Sequence, residues 1–461
     1  MANVDLEYGR VPNEEVDEPA FQTLLRRVKS GKKSVEKRPS ICTVPSVLRN
    51  LSQKSFTPRV VSIGPLHKES KNLQESEGLK DSYLHDLLSR SHPSRTLEEQ
   101  LKECLEAVNH MMKDIRSCYD DVVMNKKYKD TDLANMMVLD GGFILEFCYK
   151  LQDNKEATML SKIQISCIAI DLMLLENQIP FFVLEAIFNR TTHPKNISLT
   201  CLVRKILGSY IHPFSFSLEK EVSDDDSVDS SQHVHVLDCV HKIYKIKPSS
   251  ETVVNIKCQT SEKDGDCETS LNYNHSVVEL DRSGVNFKPH KQNEMSMAMN
   301  VIKSRSCYHL SPWSKRTLVM PTLVIQEFTE VILRNFIAYE QFSPKVNYYF
   351  TSYASAMDML IDCEADVGKL VESKVIVNNL GSNKEVARVI NGICVNIEIE
   401  RFCYSEAIKE LDKYYNSYWP KHFAYFKRTY FNNPWSVIAF FAGFIVFGLA
   451  VLQAVLRIID R

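Results

Sequence analysis

Two sets of residues have the types and spacing that could do chemistry. His233-Val-His235, with Cys239 and His241 close behind, places four potential metal ligands within nine residues, and imidazole with thiolate is a donor set that suits zinc. On a strand His233 and His235 share a face, but Cys239 and His241 need a turn to converge with them. The group stands beside an acidic, serine-rich stretch. It therefore reads as ordinary surface and helix-start chemistry, and neither a metal nor another cofactor is expected. The second set is acidic: Asp140, Glu146, Asp171, Glu176 and Glu185 interrupt otherwise apolar segments. A buried acid with a raised pKa is one way to make a general acid. The plainer reading is that each caps a helix or pairs with a buried Arg or His. No phosphate-binding glycine loop, dinucleotide fingerprint, nucleophile elbow or zinc-protease motif occurs, and no catalytic residue is assigned.

The elements that must position these residues are mostly helical. Thr96 and Glu99 form a capping box ahead of Leu97, Leu101, Leu105, Val108, Met112 and Ile115, spaced by threes and fours on one face. Leu79, Tyr83, Leu84, Leu87 and Leu88 repeat that spacing just before, and Met136 to Phe147 is a more apolar helix. Ile163 to Phe188 is apolar enough to resemble a membrane span, but Asp171, Glu176 and Glu185 interrupt it and Pro180 breaks the ladder. A central acid costs about 3 kcal/mol in a bilayer. A buried helix-turn-helix fits better, with Asn177 and Gln178 satisfying backbone groups at the break. Helical spacing returns over 328–341, 353–361, 386–397 and 407–418. Val277 to Phe287 and Leu318 to Ile325 suggest short strands or a hairpin. The fold class expected is mainly α (α+β), a large helical body with a small antiparallel sheet or hairpin and one C-terminal transmembrane helix.

That last helix is the most distinctive segment. From Thr429 to Leu456 there is no charged side chain, and about 20 apolar residues span a hydrocarbon core of about 30 Å. The anchor comprises Trp435, Val437, Ile438, Phe440, Phe441, Phe444, Ile445, Val446, Phe447, Leu449, Val451, Leu452, Val455 and Leu456. Pro434 suits a helical first turn and Trp435 the interface. Ala439 with Gly443, and Ala450 with Ala454, are small-residue pairs through which two such helices could meet.

Composition narrows the rest. A net charge of -2 gives no broad attraction for nucleic acid. The 13 cysteines are scattered singly and read as reduced thiols. The acidic N-terminus lacks a secretory signal's apolar run, so the late span is expected to insert after synthesis and leave the body cytosolic. Lys421, Lys427 and Arg428 before the span against Arg457 and Arg461 after it agree with that side. The sequons at Asn50, Asn189, Asn196 and Asn274 then read as incidental. Residues 1–38 are expected to form a loosely ordered, solvated arm, 39–428 one domain with a flexible acidic insertion at about 219–274, 434–456 the transmembrane helix and 457–461 a short tail.

Several stretches together resemble the plant family of domain of unknown function 247. They are Ile41-Cys-Thr-Val-Pro45, Val61-Ser-Ile-Gly-Pro-Leu-His67, Met136 to Glu146, Asp171 to Phe182, Leu333 to Gln341, Val377 to Ser382 and Asn433-Pro-Trp435. The family pattern often has Tyr-His where this chain has Leu66-His67, and Gly-Cys where it has Gly141-Gly142. The resemblance implies a mostly helical, plant-specific, single-span membrane protein without established catalytic residues. Some grass members are implicated as pollen-side determinants of self-incompatibility, a recognition role. The function expected is protein recognition or signalling at a membrane, with the bilayer and an unidentified protein as partners. The alternatives are an uncharacterised membrane-associated hydrolase or transferase, and a scaffold that dimerises through its span.

Overall fold

A computed structural model describes residues 18–34, 39–91, 95–120, 128–153, 160–191, 197–210, 214, 233–244, 275–290, 297–303, 315–343, 346–399, 401–417, 422 and 434–459. Helices dominate. The first half contains α1 (Glu18–Ser34), α2 (Ser46–Arg49), α3 (Glu75–Ser91), α4 (Leu97–His110), α5 (Met112–Ser117), α6 (Asp130–Asp153), α7 (Lys162–Asp171), α8 (Phe181–Thr191), α9 (Leu199–Tyr210) and α10 (Val236–His241). After α11 (Val277–Arg282) come the strands β1 (Asn286–Pro289), β2 (Asn300–Lys303), β3 (Arg316–Met320) and β4 (Leu323–Ile325). The second half continues with α12 (Thr329–Phe342), α13 (Tyr349–Leu360), α14 (Glu364–Glu372), β5 (Ile376–Asn378), α15 (Asn383–Ile393), α16 (Ser405–Tyr415) and α17 (Pro434–Ile459).

α6 is the central helix. From Met136 to Tyr149 almost every side chain is buried, on all faces, because α3, α4, α8 and α9 surround it. Burying a Phe or Leu contributes about 1.5–3 kcal/mol, and Phe143, Phe147, Ile144 and Leu145 all lie within one continuous core that runs from Ile41 to Leu411. Gly141 and Gly142 permit this closeness, since an added Cβ would meet the Ile187 and Leu84 side chains at 2.5 Å. The Thr96 capping box forms with both reciprocal bonds. The buried face of α4, however, is Gln100, Cys104 and Val108, and Leu97 is exposed. The chain breaks at Met111, and α5 restarts with Met112 and Ile115 buried.

In the second half α12 packs on α13 and α15, and α14 on α11, α15 and β5. The small sheet has a different pairing from the antiparallel one expected. β1 runs parallel to β3, and only β2 is antiparallel to it. Pro321 follows β3, and β4 then leaves to pair in parallel with β5 in a second sheet. Residues about 50 positions apart meet there, a pairing that no local turn announces.

Two expectations about unstructured segments are corrected. Within the arm, Glu18–Ser34 is helical, because Phe21, Leu24, Leu25 and Val28 recur at helical spacing; residues 1–17 and 35–38 lie outside the described residues. Within the insertion, residues 233–244 fold into the core around α10, whose residues are all buried. The remaining parts, 219–232 and 245–274, lie outside the described residues.

Candidate functional site

Two of the acids expected to do chemistry, Asp171 and Glu176, stand at the turn between α7 and α8, residues 172–180, together with Asn177 and Gln178. Facing it is the segment 41–67, which makes no sheet ladder beyond one bridge from Ile41 to Tyr119, so its amides need other acceptors. Asp171, the last residue of α7, accepts the N–H groups of Arg59 at 2.9 Å, Val60 at 2.7 Å and Val61 at 3.0 Å. Asn177 Oδ1 accepts from the Ile63 N–H at 2.7 Å, and Nδ2 donates to the carbonyls of Val61 and Asp171. Gln178 Nε2 donates to the carbonyls of Leu172 and Leu174, while its Oε1 accepts from the Leu237 N–H. Asn177 and Gln178 thus satisfy the break as expected, and they also bind segments from elsewhere.

Glu176 and Asp140 extend this seam. Glu176 Oε1 accepts from the Val44 N–H at 2.6 Å and from the Arg49 guanidinium, and Oε2 faces His67 Nε2 at 3.1 Å. Burial drives this carboxyl upward, but His67, Arg49 and the Val44 amide outweigh it and hold the pKa below the ordinary value. Asp140 accepts from the Gly64 N–H at 2.7 Å and from Lys80 Nζ at 2.6 Å, with the lysine fully buried. Burial disfavours the Lys80 ammonium, yet Asp140 and Glu77 reverse the effect and raise its pKa. Asp171 differs: burial pushes it up to about 6 despite its three amide donors. Gly64 has φ +71, and a Cβ there would lie 2.5 Å from the Gln178 carbonyl oxygen. The left-handed region and the close approach both favour glycine.

The remaining acids occupy other settings. Glu146 is buried in α6 with one oxygen 2.8 Å from Arg90 and the other without a hydrogen-bond partner among the described residues. Burial raises its pKa to about 7, offset in part by Arg90 and Lys150 and reinforced by Asp86 and Asp153. Tyr83 packs its ring on Phe143 and holds Lys150 over its face at 4.4 Å. Glu185 is exposed on α8, so it belongs to no buried site.

The histidine group is buried rather than superficial, and its members diverge. His235 caps α10, its Nδ1 accepting the Asp238 N–H at 3.1 Å. Burial lowers its pKa to about 4 and keeps the ring neutral. His241 Nε2 instead meets Glu340 Oε1 at 2.8 Å, and Glu340 also takes the N–H groups of Phe350 and Thr351 at the start of α13. His233 lies edge-on to Phe181, its Nδ1 3.7 Å from Asp238. Asp238 also accepts from the Val234 N–H, the Tyr339 hydroxyl and Lys242. Against the effect of burial, His233, His235 and Lys242 keep this carboxyl below the usual range. Among the described residues no three His, Cys, Asp or Glu side chains converge as a metal site.

Burial pushes the thiols of Cys42 and Cys104 up to about 11, and those of Cys148, Cys239 and Cys394 to about 12. They stay protonated near neutral pH, and the thiolate is the nucleophilic form. A groove of about 540 Å³ between α4 and α8 is lined by Glu103, Glu106, His110, Met111 and Arg190, none of which belongs to the seam.

α17 stands apart from all of this. Ile438–Leu456, 19 residues, is long and apolar enough to cross a bilayer, and none of it is buried. Trp435, Phe444 and Phe447 are among its exposed side chains. The Val437 side chain lies outside the described residues. Ala439, Gly443, Ala450 and Ala454 are exposed, with open space around Gly443.

A family model described as "Plant protein of unknown function", the domain of unknown function 247, matches residues 41–449. The chain belongs to this family. UPF0481 protein At3g47200 of Arabidopsis thaliana is 27% identical over 440 residues, covering 91% of this chain and 86% of that one. A second Arabidopsis UPF0481 protein, At3g02645, is 22% identical over 495 residues, covering 90% of this chain and 89% of its own length. No solved structure matches. In this member of the domain of unknown function 247 family, four of the stretches quoted above for the resemblance meet through hydrogen bonds: Ile41 to Pro45, Val61 to His67, Met136 to Glu146 and Asp171 to Phe182. The amides of Val44, Val61 and Ile63 go to Glu176, Asp171 and Asn177, and that of Gly64 to Asp140. The structure adds Asn335, which accepts from the Leu175 N–H and donates to the carbonyls of Ser55 and Val331. Sequence reasoning missed it, as it missed Lys80 as the partner of Asp140; an amide in a mostly apolar helix was the signal for Asn335, whereas Lys80 stands in a polar run, Glu75 to Asp81, that gave none.

Proposed function

We propose that this chain is a membrane-tethered recognition or signalling protein of plants, held by α17 as a single span with its body on the cytosolic side. One observation supports the tether above all: a 19-residue apolar helix that the body leaves entirely unburied. Leaving such a helix in water forfeits the transfer free energy that each apolar side chain gains in hydrocarbon. A non-catalytic role is supported by the use of Asp171, Glu176 and Asp140 as acceptors for backbone and cations, which leaves their oxygens engaged within the fold. Partners are the bilayer and a protein bound by the body.

The test is fractionation of the full chain expressed in plant cells. It is expected in the membrane pellet and resistant to alkaline carbonate, whereas a chain ending at residue 433 is expected in the supernatant. Recovery of the full chain in the supernatant without detergent would discard the tether. Protease protection of sealed vesicles, with glycosidase treatment to probe the sequons, checks the side: a body that is digested and unglycosylated is cytosolic.

A further inference from the structure

We propose that α1 is a second, reversible membrane contact that lies flat on an anionic bilayer surface. This rests on the reading of α17 as a tether and goes beyond it. Phe21, Leu24, Leu25 and Val28 occupy positions i, i+3, i+4 and i+7 of one helix, the spacing of an apolar stripe facing a single medium. Among the described residues the body supplies little of that medium: Phe21, Leu24 and Val28 are 45%, 58% and 62% exposed, and only Leu25 is partly covered. The same 17 residues contain Arg26, Arg27, Lys29, Lys32 and Lys33 against the single acid Glu18, in a chain whose net charge is only -2. A helix that combines an apolar stripe with an excess of cations settles at the boundary between headgroups and acyl chains. Each cation near an anionic leaflet contributes about 1 kcal/mol. A second copy of α1 is a poor occupant because it carries the same excess of five cations over one acid. An anionic leaflet supplies both the apolar phase and the counter-charge, and α17 holds it within reach, so binding of α1 becomes an intramolecular event at high effective concentration.

The experiment uses the full chain in lipid nanodiscs of phosphatidylcholine alone or mixed with phosphatidylserine, and in detergent micelles. Amide hydrogen exchange is read over residues 18–34. Exchange is expected to slow at least about tenfold, equivalent to about 1.4 kcal/mol, in the anionic discs only. High salt, and the variant Leu24→Asp with Val28→Asp, are expected to remove the protection. Equal exchange in all three preparations overturns the proposal. So does equal protection in all three, which would place α1 on the body or a second copy, and so does protection gained only on adding an acidic helix-binding protein. Failure of the tether is seen separately, as failure of the chain to co-elute with discs of either composition, and this proposal then falls with it.

Discussion

Asn177 uses both ends of its amide to join two stretches of backbone that have no ladder between them. Replacing it with Ala removes the partner of the Ile63 N–H and of the Val61 carbonyl, while the Asp171 carbonyl keeps the Leu174 N–H, and each buried group so orphaned costs about 1–3 kcal/mol. Asn177→Ala is expected to destabilise by about 2–4 kcal/mol, read as a lowered midpoint in urea unfolding followed by circular dichroism. Glu146 gives a pH signature of opposite origin. Its folded pKa of about 7 lies above the ordinary 4.5, so the folded state binds the proton more tightly than the unfolded chain. Stability is therefore present below about pH 4.5 and is lost as pH rises toward 7. Arg90, Lys150, Asp86, Asp153 and Tyr83 are the groups around it, and Arg90 offsets the loss only in part. Glu146→Gln is expected to flatten the stability profile between pH 5 and 8, by up to about 3 kcal/mol. An unchanged slope in unfolding curves at the two pH values would count against this account of Glu146.

Among the elements, the helices were the most legible from sequence because their signals are local. The Thr96 box and the proline break at 180 are examples. The boxes at Ser161 with Gln164 and at Ser276 with Glu279 have the same local form, and they start α7 and α11. The strands were less legible, since β4 and β5 meet in parallel with α12, α13 and α14 between them. Of the seam, the kind of role was readable but the partners were not. Acids in apolar segments read as helix caps or partners of Arg or His; Glu146 and Glu176 pair in that way, whereas Asp140 pairs with a lysine and Asp171 holds the amides of a non-helical segment, and their donors lie 56 to 132 residues away. The loop 61–67 depends on Gly64. Gly64→Ala meets both an unfavourable φ and the Gln178 carbonyl, and is expected to lower stability by at least about 1–2 kcal/mol. Thermal unfolding checks it, with Gly78→Ala as the control, where a Cβ meets nothing within 4 Å.

At the scale of the whole molecule, one core continues from Ile41 to Leu411 and includes no residue of α17. A single cooperative unfolding transition is therefore expected for the body. Removing residues 434–461 is expected to leave its midpoint within about 0.5 kcal/mol, measured in detergent for the full chain and in buffer for the shortened one. Two separated transitions would show that the halves joined at Asn335 are independent. That joint also bears on biosynthesis. Ser55 and Asn335 are 280 residues apart, so at ribosomal speeds of about 5–20 residues per second the first strap of this fold waits roughly 15–60 s for its clasp to be made. Until then its bare amides and apolar side chains are a natural client surface for chaperones, and newly made chains should be recovered with them more readily than finished ones.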